Sequence, residues 1–102
     1  MEPKNKVIVI TGGSGGIGSS MASAFLREGA EAVVISDLDS APVKACADTL
    51  GCDWRVCDVT DESQVQSLVD YVISKYGRVD VYCSNAGAAG SGSGVLTDAS
   101  NE

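Results

Sequence analysis

Residues 7–18 read VIVITGGSGGIG, an apolar run followed by a glycine-dense turn and the start of a helical pattern. The first four of these residues are all β-branched, which predicts a strand buried on both faces of a parallel sheet. Glycines let a backbone approach an anion closely, and the first turn of a helix leaves its N–H groups unpaired. The stretch therefore predicts a phosphate-binding turn between a buried strand and a helix.

The remaining sequence alternates between strand patterns and helix patterns. Apolar stripes at helical spacing, each followed by a glycine, predict three helices, over residues 16–28, 40–50 and 61–76. Short apolar runs predict four strands, over residues 6–11, 31–36, 53–57 and 79–84. Such alternation implies right-handed crossovers, so we expect a partial Rossmann-like α/β fold, a doubly wound parallel sheet with strand order 3-2-1-4.

We expect residues 1–87 to form this unit and residues 88–102 to form a flexible tail rich in Gly and Ser. The tail has no apolar periodicity up to residue 94, and residues 97–102 carry helix-start residue types without a helix after them. This pattern predicts a truncation point in the tail. It also predicts that the fourth strand is an exposed edge of the sheet.

The composition excludes several classes of partner. The chain has 14 acidic and 7 basic residues, and its formal charge of −7 repels nucleic-acid phosphates and anionic lipid surfaces. No stretch approaches the roughly 20 apolar residues that span a bilayer, and the N-terminus lacks the apolar region of a signal peptide. We therefore expect a cytoplasmic protein that binds neither nucleic acid nor membranes.

The cysteines predict no metal site. None of the four has Cys-x-x-Cys spacing, and the chain contains no histidine. Zinc sites and redox motifs commonly depend on such spacing or on histidine ligands. We interpret the cysteines as reduced structural residues.

The glycine turn matches three motifs. A nucleophile elbow would make Ser14 the nucleophile, but the serine needs a general base and the chain has no histidine. A P-loop needs a lysine where this sequence has Ser19. The pattern that remains is the dinucleotide fingerprint Gly13-x-Gly15-x-x-Gly18.

Asp37 ends the second predicted strand 19 residues after Gly18. A carboxylate about 20 residues after the fingerprint accepts hydrogen bonds from the ribose hydroxyls of a dinucleotide. It also repels a 2′-phosphate, and no Lys or Arg follows before Lys44. This position favours NAD over NADP, with a simple turn-forming role for Asp37 as the alternative.

With two further motifs, these residues resemble the short-chain dehydrogenase/reductase family over about residues 4–87. The matching motifs are Thr11-Gly12-x-x-x-Gly16-Ile17-Gly18, then Asp58-Val59 after the third strand and Asn85-Ala86-Gly87 after the fourth. The resemblance implies that backbone amides near Ser14 and Ile17 hold the pyrophosphate and that Asp58 accepts a hydrogen bond from the adenine amino group. An alternative or additional role of Thr11 and Asn85 is to tie neighbouring strands together.

The residues that the motifs together assign to NAD are Thr11, Gly12, Ser14, Gly15, Gly16, Ile17, Gly18, Asp37, Asp58, Val59, Asn85, Ala86 and Gly87. In the resembling family a serine, a Tyr-x-x-x-Lys pair and an asparagine follow later in the chain and carry the chemistry. Tyr71-x-x-x-Lys75 has that spacing, but it precedes the fourth strand and shares a helix face with Leu68 and Val72. We interpret it as a coincidence and assign no catalytic residue.

The resemblance implies an NAD-dependent oxidoreductase that transfers hydride between nicotinamide and an alcohol or carbonyl substrate. On this interpretation the chain is its cofactor-binding portion without the catalytic half, and a homo-oligomer is one option for a full-length form. The alternative is a stand-alone, non-catalytic nucleotide-binding or interaction module.

Overall fold

The computed structural model of the chain describes residues 3–85 and 95–97. Its strands are β1 (Val7–Thr11), β2 (Ala32–Asp37), β3 (Asp53–Val56), β4 (Val81–Ser84) and β5 (Val95–Thr97). They form one sheet in the order β3-β2-β1-β4-β5, in which the first four strands are parallel. The predicted Rossmann-like arrangement with order 3-2-1-4 is confirmed.

Three helices cover the two faces of the sheet: α1 (Gly16–Arg27), α2 (Ser40–Leu50) and α3 (Glu62–Tyr76). Successive side chains of a strand point to opposite faces. Ile8 and Ile10 accordingly belong to a core cluster with residues of α1 and α2, whereas Val7 and Val9 belong to a second cluster with residues of α3. Every residue of β1 is buried, as its unbroken β-branched run predicts.

The helix boundaries follow from residues at their ends. Gly51 and Gly77 adopt φ angles of 75° and 91° just after α2 and α3, a left-handed conformation that suits glycine. At the start of α3, Asp61 accepts a hydrogen bond from the N–H of Ser63 at 3.0 Å. The helix α2 begins at Ser40, as the sequence predicts, and its N-cap is Asp39.

The short strand β5 is absent from the sequence expectations. It pairs antiparallel with β4, so the expectation that β4 is an exposed edge is wrong where these strands pair. Three residues are too few to show the alternation by which a strand is recognised in a sequence. The rest of the predicted tail, residues 88–94 and 98–102, lies outside the described residues.

An ionic network joins the amino ends of three strands. Asp80 is buried, and its Oδ2 accepts hydrogen bonds from the N–H of Val7 at 2.8 Å and from Nε of Arg78 at 2.7 Å. Arg78 also donates to the carbonyl of Asn5 at 2.6 Å and to Glu31 at 3.1 Å. The network therefore fixes β1, β2 and β4 at the edge opposite the glycine turn.

Across residues 3–85 and 95–97, none of the helices has the length and apolar character required to cross a membrane.

Candidate dinucleotide-binding site

The site lies at the carboxyl edge of the sheet, where the glycine turn leaves β1. The N–H of Gly13 donates to the carbonyl of Ser36 at 3.0 Å, which holds the turn against β2. On the other side, Thr11 Oγ1 accepts from the N–H of Asn85 at 3.2 Å and donates to the carbonyl of Cys83 at 3.4 Å. Thr11 and Asn85 therefore tie β1 to β4, which is the strand-tying role considered from the sequence.

At two positions of the turn, neighbouring atoms are so close that only glycine fits. A Cβ on Gly18 would lie 2.2 Å from the carbonyl oxygen of Gly12, and one on Gly13 would lie 2.4 Å from Cβ of Ile35. Real Cβ atoms do not approach other atoms so closely. In contrast, a Cβ on Gly16 would meet no atom within 4 Å, so Gly16 faces open space beside the turn.

The start of α1 offers unpaired hydrogen-bond donors. Its N-cap is Gly15, which has no side chain to cap the helix, and its first turn contains no acidic residue. Within residues 3–85 and 95–97, the N–H groups of Gly16, Ile17 and Gly18 have no hydrogen-bond acceptor. Unpaired N–H groups and the positive end of the helix dipole attract an anion. Ile17 beside them has 56% of its surface exposed.

Asp37 at the end of β2 is held against this turn. Its Oδ2 accepts hydrogen bonds from the hydroxyl of Ser14 and, at 3.3 Å, from the N–H of Ser14. Its Oδ1 accepts from the N–H of Leu38 at 2.9 Å. The N–H of Ser14, which the resemblance assigned to the pyrophosphate, is thus directed to Asp37.

Asp58 and Val59 lie in the loop between β3 and α3. Asp58 Oδ1 accepts hydrogen bonds from the hydroxyl of Thr60 at 2.6 Å and from its N–H at 3.0 Å. These bonds lower the pKa of Asp58, so the carboxylate stays ionised at neutral pH. No described residue bonds to its other oxygen, Oδ2, which is available to a ligand.

One contact at the turn was not foreseen from the sequence. The thiol of Cys46, on α2, donates to the carbonyl of Gly13 at 3.5 Å. Burial and the nearby carboxylate of Asp37 raise the pKa of Cys46, so the thiol keeps its proton and remains a donor. A cysteine in a helix stripe carries no sequence signal for such a contact. All four cysteines are free.

Tyr71 and Lys75 lie at the amino ends of the strands, opposite the carboxyl edge that carries the glycine turn. Asp53, the first residue of β3, accepts on Oδ2 from Tyr71 at 2.7 Å, Tyr76 at 2.8 Å and Lys75 at 3.0 Å. Burial and the bond to Asp53 raise the pKa of Tyr76 to about 12. The cluster anchors the end of α3 to β3, away from the glycine turn.

Of the residues assigned from the sequence, Ala86 and Gly87 lie outside the described part of the chain. The other residues assigned from the sequence lie in two places. One is the glycine turn together with the ends of β1, β2 and β4 beside it, and the other is the separate loop that carries Asp58 and Val59. Among the described residues, no group of three or more His, Cys, Asp or Glu side chains is placed to hold a metal ion.

The fold and the site define a Rossmann-like unit with a glycine-rich turn at the carboxyl edge of its sheet. The family model described as short chain dehydrogenase matches residues 6–102. The chain therefore belongs to the short-chain dehydrogenase family.

Two characterised plant proteins illustrate the similarity. A (+)-cis,cis-nepetalactol synthase of Nepeta racemosa is 40% identical over 98 residues, which cover 93% of this chain and 36% of that protein. The mitochondrial (-)-isopiperitenol/(-)-carveol dehydrogenase of Mentha piperita is 42% identical, covering 91% of this chain and 36% of that protein. The chain thus spans about a third of the length of these relatives.

Two solved structures are similar to this chain in fold and sequence. A short chain dehydrogenase from Mycobacterium smegmatis superposes with a TM-score of 0.75 at 38% identity, over 79% of this chain and 36% of that one. A 3-ketoacyl-(acyl-carrier-protein) reductase from Brucella melitensis, complexed with NADH, gives a TM-score of 0.72 at 36% identity, over 78% and 33% of the two chains.

Proposed function

We propose that this chain is the NAD-binding portion of an NAD-dependent short-chain dehydrogenase/reductase. The observation that carries the proposal is the arrangement of Asp37 against the turn that leads into α1. The turn presents three N–H groups without acceptors among the described residues, and the adjacent carboxylate is pinned by Ser14. In Rossmann-type sites the pyrophosphate lies at such a helix start and the ribose hydroxyls bond to such a carboxylate.

The pyrophosphate is proposed to bind at the start of α1. The N–H groups of Gly16, Ile17 and Gly18 supply donors, and the glycines leave room for the anion to approach the backbone. The absence of an acidic residue from the first turn of α1 removes one source of repulsion. The chain carries a net charge of −7, so local donors rather than overall charge must hold the anion.

The ribose of the adenosine is proposed to bind Asp37. Its carboxylate accepts hydrogen bonds from the two ribose hydroxyls of NAD and repels the 2′-phosphate of NADP. Repulsion between two unit charges about 4 Å apart is worth about 1–4 kcal/mol, depending on how much water screens them. The next cation along the chain, Lys44, follows seven residues later and pairs with Asp48 at 3.1 Å.

The adenine is proposed to bind near Asp58 and Val59, with the free Oδ2 of Asp58 as the acceptor for its amino group. Asn85 follows β4 and lines a shallow cavity with the glycine turn. Ala86 and Gly87 remain predictions as adenosine contacts. The NADH in the Brucella melitensis reductase supports a nicotinamide dinucleotide as the cofactor class.

The nicotinamide, when bound, supplies the hydride acceptor or donor for an alcohol or carbonyl substrate. Among the described residues we assign no acid or base to that step, because Tyr71 and Lys75 are bound to Asp53 at the opposite edge. We propose that the substrate is contacted outside the site described above. A cytoplasmic location and a homo-oligomer in a full-length form are likewise proposals.

A displacement titration tests the proposed function. We expect the chain to bind NADH, and we expect ADP-ribose to displace it, because the proposed contacts are made to adenosine and pyrophosphate. Nicotinamide mononucleotide should displace it poorly. A folded sample that binds no NADH, or in which only the mononucleotide competes, would refute the proposal.

A further inference from the structure

The loop that carries Asp58 is closed by the first turn of α3. The carbonyl of Asp58 accepts from the N–H of Asp61 at 3.0 Å, and its Oδ1 accepts from Thr60. Its N–H donates to Oε1 of Gln64 at 2.9 Å. Every polar atom of Asp58 except Oδ2 is therefore engaged by residues of its own loop and helix.

The orientation of the Gln64 side chain is fixed by a second partner. Its Nε2 donates to Oδ2 of Asp61 at 3.3 Å. An inverted amide would place Oε1 against the carboxylate of Asp61 and an NH₂ group against the N–H of Asp58, losing both bonds. Gln64 thus joins the N-cap of α3 to the backbone of Asp58.

We propose that Gln64 is a positioning residue for adenine recognition, holding Asp58 so that its free Oδ2 faces the amino group of the base. The inference rests on the proposed function, because it requires adenine to bind at this loop. Gln64 itself touches no part of the base. It acts through the main chain of Asp58, whose carboxylate is an acceptor only.

This arrangement predicts discrimination by the group at position 6 of the purine. The amino group of adenine donates to a carboxylate, whereas hypoxanthine has an oxo group at position 6, which is an acceptor and faces the carboxylate unfavourably. Hydrogen bonds to charged groups contribute enough to give a preference of about tenfold or more. The preference requires Asp58 to be held in place.

The test is a pair of binding titrations of the 102-residue chain, one with NAD and one with nicotinamide hypoxanthine dinucleotide. We expect the unmodified chain to prefer NAD about tenfold. Gln64→Ala should reduce the preference to about threefold or less. Gln66→Ala is the matched control: Gln66 is exposed on the same helix, bonds Asp70 at 2.9 Å and should leave the preference unchanged.

A double variant separates positioning from general damage. In Asp61→Asn/Gln64→Glu the donor and the acceptor of the side-chain pair are exchanged, while an oxygen still faces the N–H of Asp58. Asn is as good an N-cap as Asp, so α3 keeps its first turn. We expect this variant to retain the preference for NAD.

Three results would overturn the inference. The first is that Gln64→Ala retains the full preference for NAD, including the case in which it weakens both dinucleotides equally, which a merely structural role predicts. The unmodified chain could bind both dinucleotides equally well, in which case Asp58 does not read the base. A folded chain that binds neither dinucleotide would remove the proposed function itself, and this outcome is distinct from the other two.

Discussion

Asp37 and Ser14 are bonded to each other through both the hydroxyl and the N–H of the serine, so the end of β2 is fastened to the turn that follows β1. Two residues 23 positions apart in sequence thereby share one hydrogen-bonded unit. The carboxylate is oriented before any ligand arrives, which reduces the entropy that binding has to offset. In the proposed function, this is the group that distinguishes NAD from NADP.

Removing the charge of Asp37 should reduce that distinction. Asp37→Asn keeps the size of the side chain but eliminates the repulsion of a 2′-phosphate, so we expect the preference for NAD over NADP to fall about tenfold. Dissociation constants measured by calorimetry check this. The control is Asp70→Asn, which makes the same charge change on the exposed surface of α3. An unchanged preference in Asp37→Asn would show that Asp37 does not face the ribose.

Two glycines of the turn should respond differently to alanine. Gly18→Ala places a Cβ against the carbonyl of Gly12, and overpacking of this kind costs about 1–3 kcal/mol. Gly16→Ala enters open space in a helical position and should leave the free energy of unfolding unchanged or raise it by up to about 1 kcal/mol. Urea denaturation of both variants measures the difference. Equal stabilities would mean that the turn does not pack as described.

Asp80 should be important for stability rather than for binding. Asp80→Ala leaves the N–H of Val7 without its acceptor and removes the buried partner of Arg78, which we expect to cost about 2–3 kcal/mol. The comparison is Asp48→Ala, which removes an exposed ion pair with Lys44 and should cost less than about 1 kcal/mol. If the two variants unfold at the same urea concentration, the network at the amino edge contributes little.

Asp53 should make stability sensitive to acid. Burial tends to raise the pKa of Asp53, but hydrogen bonds from Tyr71, Lys75 and Tyr76 outweigh it and lower the pKa in the folded state. Because the pKa of Asp53 is lower in the folded state, its ionised carboxylate stabilises the fold above the unfolded-state pKa of about 4. This contribution to the free energy of unfolding is lost as the pH falls through the folded-state pKa. Asp53→Asn should therefore lose less stability than the unmodified chain between neutral pH and about pH 3, as followed by thermal unfolding. A loss of the same size in both proteins would contradict this assignment.

Tyr71 should be irrelevant to the cofactor site. Tyr71→Phe removes one of the three side-chain donors to Asp53 at the amino edge and changes nothing at the carboxyl edge. We expect unchanged affinity for NAD with a modest loss of stability. A specific loss of dinucleotide binding or of hydride-transfer activity would show that the Tyr71 and Lys75 pair acts in the chemistry.

The sequence was sufficient for elements with strong local patterns. The β-branched run of β1 specifies the burial of the whole strand, and the stripe of α3 includes the two residues that the helix buries, Leu68 and Val72. The alternation of elements specifies the parallel sheet. What escaped prediction depends on contacts between distant positions. The bond from Cys46 to Gly13, the Gln64 bridge to Asp58 and the network around Asp80 have no local periodicity, and β5 is too short to display one.

The central claim is that the turn after β1, together with Asp37, binds NAD. Calorimetric titration of the folded 102-residue chain with NAD and with NADP tests it most directly. We expect a single NAD site, with NADP binding at least about tenfold more weakly. No heat of binding with either dinucleotide, or binding of NADP as tight as that of NAD, would contradict the claim.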